Sequence, residues 1–599
     1  MLIKVIYFVT LFMVTNSEKN EEENQKPHIV FIVADDLGWN DVSFHGSDLI
    51  MTPNIDVLAY EGVILNQYYT DTQGTSSISA LFTGKYPMRL GTQGASISAC
   101  EDRGIPISER LLPAYLQELG YSTHLVGKWN VGKSREHYLP TLRGFDTFYG
   151  FHGSSVDYYT YNLIETCDGK EFFGLNFFDN LDSVQNLRGH LTEIITDEAV
   201  QIIREHNTST PLYLHISQAS PHAGGGLVNL QPPVESIAAN EHIAHSARRL
   251  YAGQVTSLDR SVGQIVAALA EKDILQNTII LFVSDNGAAP IGHSQNFGSN
   301  LPLRGIKGTP WEGAARSIGL IWQAAISPKV YDGLFHVSDW LPTLMNAAGG
   351  NIVKGIDGTN QWDAIINDEE IKRNDLLITI DDLNGWAAFR EGDFKIIVGD
   401  VPKNISNYHG KEFDATRSDV PTYETLLYEC DTARVLRETL NLILDIDLAF
   451  IKRNESVSAN FADNIENLCY PTKDKGCLFN ITEDPYEQND LWYTSHDVVR
   501  HMTLRLRTLW TEAKPRREPQ LNLRADPSTN NYIWFSFVEN DEVTDESPLA
   551  MPTFPLRVSL GEVQYLVNLN LGMLKNKMND YITSMGESFV KSVKGLFAF

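Results

Sequence analysis

Two apolar runs in this chain end on acids. His28–Ala34 (HIVFIVA) runs into Asp35-Asp36, and Thr278–Ser284 (TIILFVS) runs into Asp285-Asn286. Three carboxylates and one amide make an oxygen-only donor set, the kind that hard divalent cations such as Ca²⁺ or Mg²⁺ take. Without a cation, neighbouring like charges raise one another's pKa and oppose close approach. Solvated loop acids are the plain alternative at both places. Two more candidates follow apolar runs: Lys128 after Tyr121–Val126 and His222 after Pro211–Ala219. A lysine at a strand end is commonly solvated, and a lone histidine is commonly structural. Thr70–Arg89 (TDTQGTSSISALFTGKYPMR) reads as a loop entering a short apolar helix closed by Gly84 and Pro87, with Ser76 or Ser77 as its cap. A helix start aims free N–H groups and the positive end of its dipole at the loop before it, which suits an anion.

These positions need a scaffold that gathers strand ends. Continuous β-branched runs like the two above are buried on both faces, as in a parallel sheet covered by helices. In such open sheets ligands collect outside the carboxyl ends of the strands. Leu111–Leu119 has apolar residues at helical spacing and stops at Gly120. Strand and helix patterns alternate to about residue 370, after which shorter strand-like pieces such as Phe394–Val398 take over. The tail from 541 begins acidic and then carries apolar residues from Val563 to Phe597 at roughly helical spacing. That pattern fits a helix docked on the body, or a surface helix that contacts a membrane or a partner.

The frame of Thr70–Arg89 resembles the sulfatase family's signature, Cys-x-Pro-Ser-Arg followed by a small apolar run and Thr-Gly-(Arg/Lys)-Tyr-Pro. With Thr83-Gly84-Lys85-Tyr86-Pro87 in register, the Cys falls on Gly74, the Pro on Ser76, the Ser on Ser77 and the Arg on Ile78. The family places a divalent metal, usually Ca²⁺, on an Asp-Asp pair after the first strand and an Asp-Asn pair after a late one. Asp35, Asp36, Asp285 and Asn286 match all four positions. Gly127-Lys128-Trp129-Asn130 resembles the family's Gly-Lys-Trp-His, whose Lys and His face the sulfate, and departs from it at Asn130. His222 matches the substrate histidine, and Lys307, ahead of Trp311-Glu312-Gly313, matches the lysine on the sulfate oxygens. Cys477–Glu487 (CLFNITEDPYE) resembles the second-domain segment of arylsulfatase B-like proteins, the N-acetylgalactosamine-4-sulfatase type. The resemblance covers about 27–540. It implies an α/β fold, a large mixed sheet flanked by helices (the alkaline-phosphatase-like sulfatase fold) with a smaller C-terminal α+β domain. The expected divisions are a signal peptide at 1–17, an acidic leader at 18–26, a catalytic-type domain at 27–370, a smaller domain at 371–540 and an extension at 541–599.

In that family the signature cysteine becomes formylglycine, whose hydrate attacks sulfur. Gly74 has neither thiol nor hydroxyl, so no formylglycine and no covalent intermediate are expected there. Ile78 and Asn130 replace the Arg and His that support the hydrate, so the three losses concern one device. The resemblance keeps Lys128, His222 and Lys307 as sulfate-binding positions beside the four metal ligands. It implies a secreted protein that binds a divalent cation and a sulfated glycan without hydrolysing sulfate esters. An active sulfuric or phosphoric ester hydrolase using Thr75 or Ser76 is the alternative, since related metal-dependent phosphotransfer enzymes use Thr or Ser. A purely structural role is a third.

Composition sets outer bounds. A chain of 599 residues with 43% hydrophobic content can bury a large core in two or more domains. Met1–Ser17 has Lys4, an apolar run from Val5 to Val14 and small or polar residues to Ser17, the layout of a secretory signal peptide. Its apolar run is too short to span a bilayer and no later run replaces it, so a soluble chain in the secretory pathway, extracellular or lysosomal, is expected. A net charge of −28 argues against nucleic acid and repels polyanionic glycans outside a local basic pocket. Cys100, Cys167, Cys430, Cys469 and Cys477 are too widely spread for a zinc site and imply disulfides with one thiol left over. Cys430 with Cys469 is the expected pair, from their place in the second domain. Sequons at Asn207, Asn404, Asn454 and Asn480 fit the same compartment.

Overall fold

The apolar run His28–Ala34 decides the layering of the molecule. In the computed structural model, which describes residues 26–292, 294–367, 369–370, 372–406, 422–456, 468–516, 521–541 and 550–557, it is strand β1 and is buried throughout. Val30, Ile32 and Ala34 point into one apolar cluster and Ile29, Phe31 and Val33 into another, as the twofold repeat of a strand requires. Both faces therefore need a helical cover. The expectations for 1–17, for most of 18–26 and for the apolar tail from Val563 to Phe597 fall outside the described residues.

A ten-stranded mixed sheet is built around β1. Its other strands are β2 (Val63–Leu65), β3 (Ser122–Lys128), β4 (Thr147–Phe151), β5 (Phe178–Asp179), β6 (Asp182–Ser183), β7 (Leu212–Ser217), β8 (Thr278–Ser284), β9 (Gly319–Trp322) and β10 (Lys329–Tyr331). The order is β10-β2-β9-β8-β1-β7-β3-β4-β5-β6. The centre, β8-β1-β7-β3-β4, is parallel; on one side β9 runs antiparallel to both β8 and β2 and β10 pairs parallel with β2, and on the other β5 runs antiparallel to both β4 and β6. Helices α1 (Pro53–Tyr60), α3 (Leu191–Glu205) and α4 (Ser246–Glu271) cover one face, and α2 (Gly74–Thr83) and α5 (Trp340–Ala347) cover the other. Burying a side chain such as Ile32 or Phe31 contributes about 1.5–3 kcal/mol, so the two covers account for much of the fold's stability. Expected helix Leu111–Leu119 forms over Leu112–Glu118, with Gly120 at φ 88°, the left-handed conformation that ends it.

A second, antiparallel sheet joins β11 (Asp375–Asp381), β12 (Trp386–Glu391), β13 (Phe394–Gly399) and β14 (Cys477–Asn480), with α8 (His496–Glu512) packed on it. Helices α6 (Tyr423–Glu429) and α7 (Asp431–Leu440) leave this sheet and pack beside α1 and α4 of the large one. This excursion corrects the expected disulfide. Cys469 pairs with Cys477, at a Cα separation of 6.0 Å, and Cys100 with Cys167 at 6.1 Å. Cys430 stays a thiol because its helix carries it against α1, where it donates to the Pro53 and Leu427 carbonyls and caps α7. Burial pushes that thiol up to about 12, so it is protonated and unreactive at neutral pH.

A buried ion cluster links the two sheets. Lys395 of β13 lies 2.9 Å from Glu312, the first residue of a short helix between β8 and β9, and 2.8 Å from Glu487, beyond β14, and all three side chains are fully buried. The Glu312 N–H donates to Glu487 at 2.9 Å, and Tyr69 donates to Glu312 at 2.6 Å. Burial and the nearby Glu312 push Glu487 up to about 7 against the pull of Lys395. Lys395→Met should lower the stability read by urea unfolding by about 3–5 kcal/mol, because it strands two buried carboxylates. A raised folded pKa favours the folded state at low pH. Glu487's contribution is therefore whole below its ordinary 4.5 and is lost as pH rises through about 7. Wild type should lose on the order of 2 kcal/mol between pH 5 and pH 8 that Glu487→Gln does not lose.

Candidate functional site

Strand register brings the site together. Ala34 of β1 lies opposite Ser284 of β8, Val33 opposite Ser217 of β7, and Ser217 opposite Gly127 of β3. The next residues therefore emerge side by side at one sheet edge: Asp35 and Asp36, Asp285 and Asn286, and Lys128. Asp36 turns into the left-handed region at φ 63°, and its N–H donates to Asp285 Oδ1 at 3.0 Å. Asn286 Nδ2 donates to Asp36 Oδ1 at 2.7 Å. Lys128 Nζ donates to Asp35 Oδ2 at 2.7 Å, and Lys307 Nζ to Asp36 Oδ1 at 2.5 Å. His222 Nε2 stands 3.6 Å from Asp36 Oδ2. All seven residues expected from sequence meet here.

The group is buried, which sets its electrostatics. Burial raises Asp285 well above the ordinary carboxylate range, and Asp35 and Asp36 add to it. Burial would raise Asp36 as well, but Lys307 and His222 outweigh it and hold its carboxyl low. Lys307 shows the reverse: burial lowers it, while Asp36, Asp35 and Asp285 raise it further. Burial also lowers His222, against the pull of Asp35 and Asp36. Asp35 Oδ1, Asp36 Oδ2 and Asn286 Oδ1 are buried without a hydrogen-bond partner. Candidate ligand atoms of Asp35, Asp36 and His222 lie within 4.8 Å of one another. Three orphaned oxygens on three of the four expected ligands fit a hard divalent cation, which removes the desolvation cost of each.

Helix α2 aims its start at these oxygens, and here the structure corrects the expected cap. The helix begins at Gly74 with Gln73 as N-cap, and no side chain caps it. Ser77 instead donates to the Asp71 carbonyl at 3.2 Å, and Ser76 to the Thr92 carbonyl at 2.9 Å. Thr75 donates to the Asn130 carbonyl at 3.0 Å and accepts from Asn130 Nδ2 at 3.0 Å and from the Ile97 N–H at 3.3 Å. Ile78 belongs to the apolar cluster under α2 and α5. A Cβ on Gly74 would stand 2.4 Å from Asp285 Oδ2 and 3.7 Å from Asn286 Oδ1. Position 74 thus faces the acids directly, and a carboxylate oxygen fills the volume of its missing side chain.

Several supporting residues escaped sequence reasoning. Tyr158 donates to the carbonyls of Ala219 and His222 at 2.9 and 2.8 Å and so fixes the histidine. Asn296 donates to the Asp36 carbonyl at 2.9 Å. Asn300 bonds both the N–H and the carbonyl of Ala288 and the Gly305 carbonyl, bracing the segment that presents Lys307. Lys307's N–H donates to Ala288 and that of Gly308 to Thr72. Amides and tyrosines in loops carry no periodic signal, and their partners lie far off in sequence.

Known proteins share this frame. Residues 27–350 match the family model described as Sulfatase. The chain belongs to the sulfatase family. Mouse (Mus musculus) arylsulfatase J is 33% identical over 521 residues, 85% of this chain and 80% of that protein. Rat (Rattus norvegicus) N-acetylgalactosamine-6-sulfatase is 31% identical over 352 residues, 56% of this chain and 65% of that protein. The solved structure of Ps i-CgsB in complex with k-i-k-neocarrahexaose superimposes with a TM-score of 0.63 at 25% identity, covering 84% of this chain and 97% of that one. A mixed sheet flanked by helices with a small antiparallel second sheet is thus the sulfatase architecture, and the acid cluster sits at the carboxyl edge of its central strands.

The closeness of Gly74 to Asp285 gives a test within this sulfatase site. Gly74→Ala should cost about 1–3 kcal/mol in chemical denaturation, since the methyl displaces a buried carboxylate. In the double variant Gly74→Ala, Asp285→Ala the two losses should be markedly sub-additive, as for residues in contact. Full additivity would show that position 74 does not touch Asp285.

Proposed function

We propose that this sulfatase-family protein binds one divalent cation, Ca²⁺ in the secretory pathway, and a sulfate ester that it does not cleave through a covalent intermediate. The carrying observation is Gly74: the head of α2 offers no nucleophile where it faces the acids, and Asp285 Oδ2 takes up the space of a Cβ. Asp35, Asp36, Asp285 and Asn286 would hold the cation, whose positive charge would polarise and anchor an ester oxygen. Lys128 and Lys307 reach the same edge and would turn part of their donor capacity to sulfate oxygens, with His222, braced by Tyr158, beside them. The names of the relatives, arylsulfatase J and N-acetylgalactosamine-6-sulfatase, support a sulfate ester, sulfated sugars included, as the ligand. The divisions 27–370 and 371–540 fit this reading, since both groups of ligands fall in the first.

The alternative nucleophiles fare worse. Thr75 and Ser76 donate their hydroxyl protons to backbone carbonyls at 3.0 and 2.9 Å, and both are buried. Turning either toward the acids would break these bonds and unwind the first turn of α2.

Turnover of aryl sulfate, phosphate monoester and phosphodiester by the purified full chain should not exceed that of Asp285→Ala. Ordinary enzymatic turnover that Thr75→Ala or Ser76→Ala abolishes would refute the reading. Calcium at about 100 times its Kd should stabilise the chain by about 2.7 kcal/mol, and chelation should reverse the rise in Tm. An unchanged Tm, together with no bound metal by elemental analysis, would remove the cation from the account.

A further inference from the structure

Where α6 and α7 pack beside α1 and α4 they enclose a cavity of about 420 Å³, lined from all four helices, with Cys430 at the joint between α6 and α7. It shares no lining residue with the acid site, and its wall is more apolar than polar. That size and that lining are those of small-molecule sites, in which a few placed polar groups fix the ligand. Asp259 of α4 is such a group: it lines the cavity and is only 3% exposed. Its Oδ2 accepts from Asn54 Nδ2 and its Oδ1 from the Ile55 N–H, both at 2.9 Å, and Asn54 Oδ1 accepts from the Thr432 N–H at 3.0 Å. The carboxylate is thus fixed across α1, α4 and α7, with lone pairs on both oxygens still open.

Charge decides which occupant suits the cavity. Its wall carries Asp259, Glu429 and Asp431 against one cation of fixed charge, Arg260. Arg260 donates to Ser236 Oγ at 3.3 Å, and its pull on Asp259 is weaker than that of the Ile55 and Asn54 hydrogen bonds. Asp431 is exposed and lies 2.8 Å from Arg434, whereas among the described residues no cation reaches ion-pair distance of Asp259 or Glu429. Burial pushes Asp259 up to about 6, and burial together with Asp259 pushes the neighbouring Asp56 up to about 8, so Asp259 is the one of the two that is ionised at neutral pH. A shared metal does not answer this charge. Among the described residues, three acid or histidine side chains come close enough to hold one ion at Asp35, Asp36 and His222, and the acids of the cavity do not converge in that way. An organic cation needs only one of them, and its body suits the apolar wall of Met51, Leu426 and Cys430.

We propose that this cavity is a second binding site and takes a small organic amine, its ammonium on the Asp259 carboxylate and its apolar body against Met51, Leu426 and Cys430. An ammonium donates to the open lone pairs of Asp259 and leaves the bonds from Asn54 and Ile55 in place, a charge-assisted contact stronger than any a neutral group makes there. Its occupant ties α6 and α7 to α1 and α4. The inference stands apart from the reading of the acid site.

Calorimetric titration of the calcium-equilibrated full chain at neutral pH would compare three ligands with one phenylbutyl body: the cationic 4-phenylbutylamine, the neutral 4-phenylbutanol and the anionic 5-phenylpentanoate. The amine should bind about tenfold tighter than the alcohol, the scale of a charged hydrogen bond in place of a neutral one, and the carboxylate no tighter than the alcohol. Asp259→Asn keeps an oxygen acceptor and should remove most of the amine's advantage while leaving the alcohol's affinity unchanged. Ala239→Trp, at an exposed position on the wall, should abolish binding of all three, with urea unfolding to show that the variant is folded. Equal affinity of amine and alcohol overturns the inference, and so does a carboxylate that binds tightest, which would assign the cavity to Arg260. Amine binding that Ala239→Trp leaves unchanged overturns it too, since the amine then sits elsewhere, as does the absence of any amine binding at millimolar ligand.

Discussion

Three carboxylates gathered in a buried pocket are the constraint on which the rest of this structure depends. An unpaired ion taken out of water costs several kcal/mol even after relaxation, so Asp35, Asp36 and Asp285 persist only with dedicated partners. The protein supplies two lysines, one amide side chain and one backbone N–H. These leave three buried oxygens without hydrogen bonds, and that remainder is what a cation of matching hardness would satisfy. The parallel centre of the large sheet delivers the acids by register alone. Lys307 comes from a loop and needs more support: Asn300 and Ala288 brace it locally, and the buried Glu312–Lys395–Glu487 cluster ties its far end to the small sheet. The second sheet therefore bears on the segment that carries Lys307.

The head of α2 shows the same electrostatics from the other side. A helix start is a partial positive charge with unpaired N–H groups, and here it points at a group of acids with no side chain between them. Glycine at the first position lets Asp285 approach to a distance that any Cβ would deny. An added hydroxyl or thiol at position 74 would enter a space already filled, and Asp285 would have to turn away. The bare glycine at position 74 and the present seat of this carboxylate are thus one geometrical fact.

Much of this was legible in sequence because it rests on short-range pattern. HIVFIVA and TIILFVS became the strands β1 and β8 with the expected limits, and the residues after them meet at one edge, as open α/β sheets require. Two expectations failed for physical reasons. Ser76 and Ser77 look like caps, but α2 starts at Gly74, and both hydroxyls turn to carbonyls at Thr92 and Asp71 that no local pattern reveals. Cys430 and Cys469 share a stretch of chain, but α6 and α7 cross to the large sheet and separate them, a tertiary preference written in apolar faces such as Leu427 and Leu436. Tyr158, Asn296 and Asn300 were invisible because a side chain that braces a distant loop obeys no spacing rule.

The central claim is that the acids hold a cation and present an ester that the helix head cannot attack. A crystal structure of the full chain grown with calcium and a sulfate ester tests it most directly, with anomalous scattering to locate the metal. The account expects one calcium on Asp35, Asp36, Asp285 and Asn286, an intact ester with its sulfate oxygens on Lys128 and Lys307, and no covalent bond to α2. Cleaved ester with sulfate carried on Thr75 or Ser76, or lysine amines remaining on the acids with no metal bound, would contradict it.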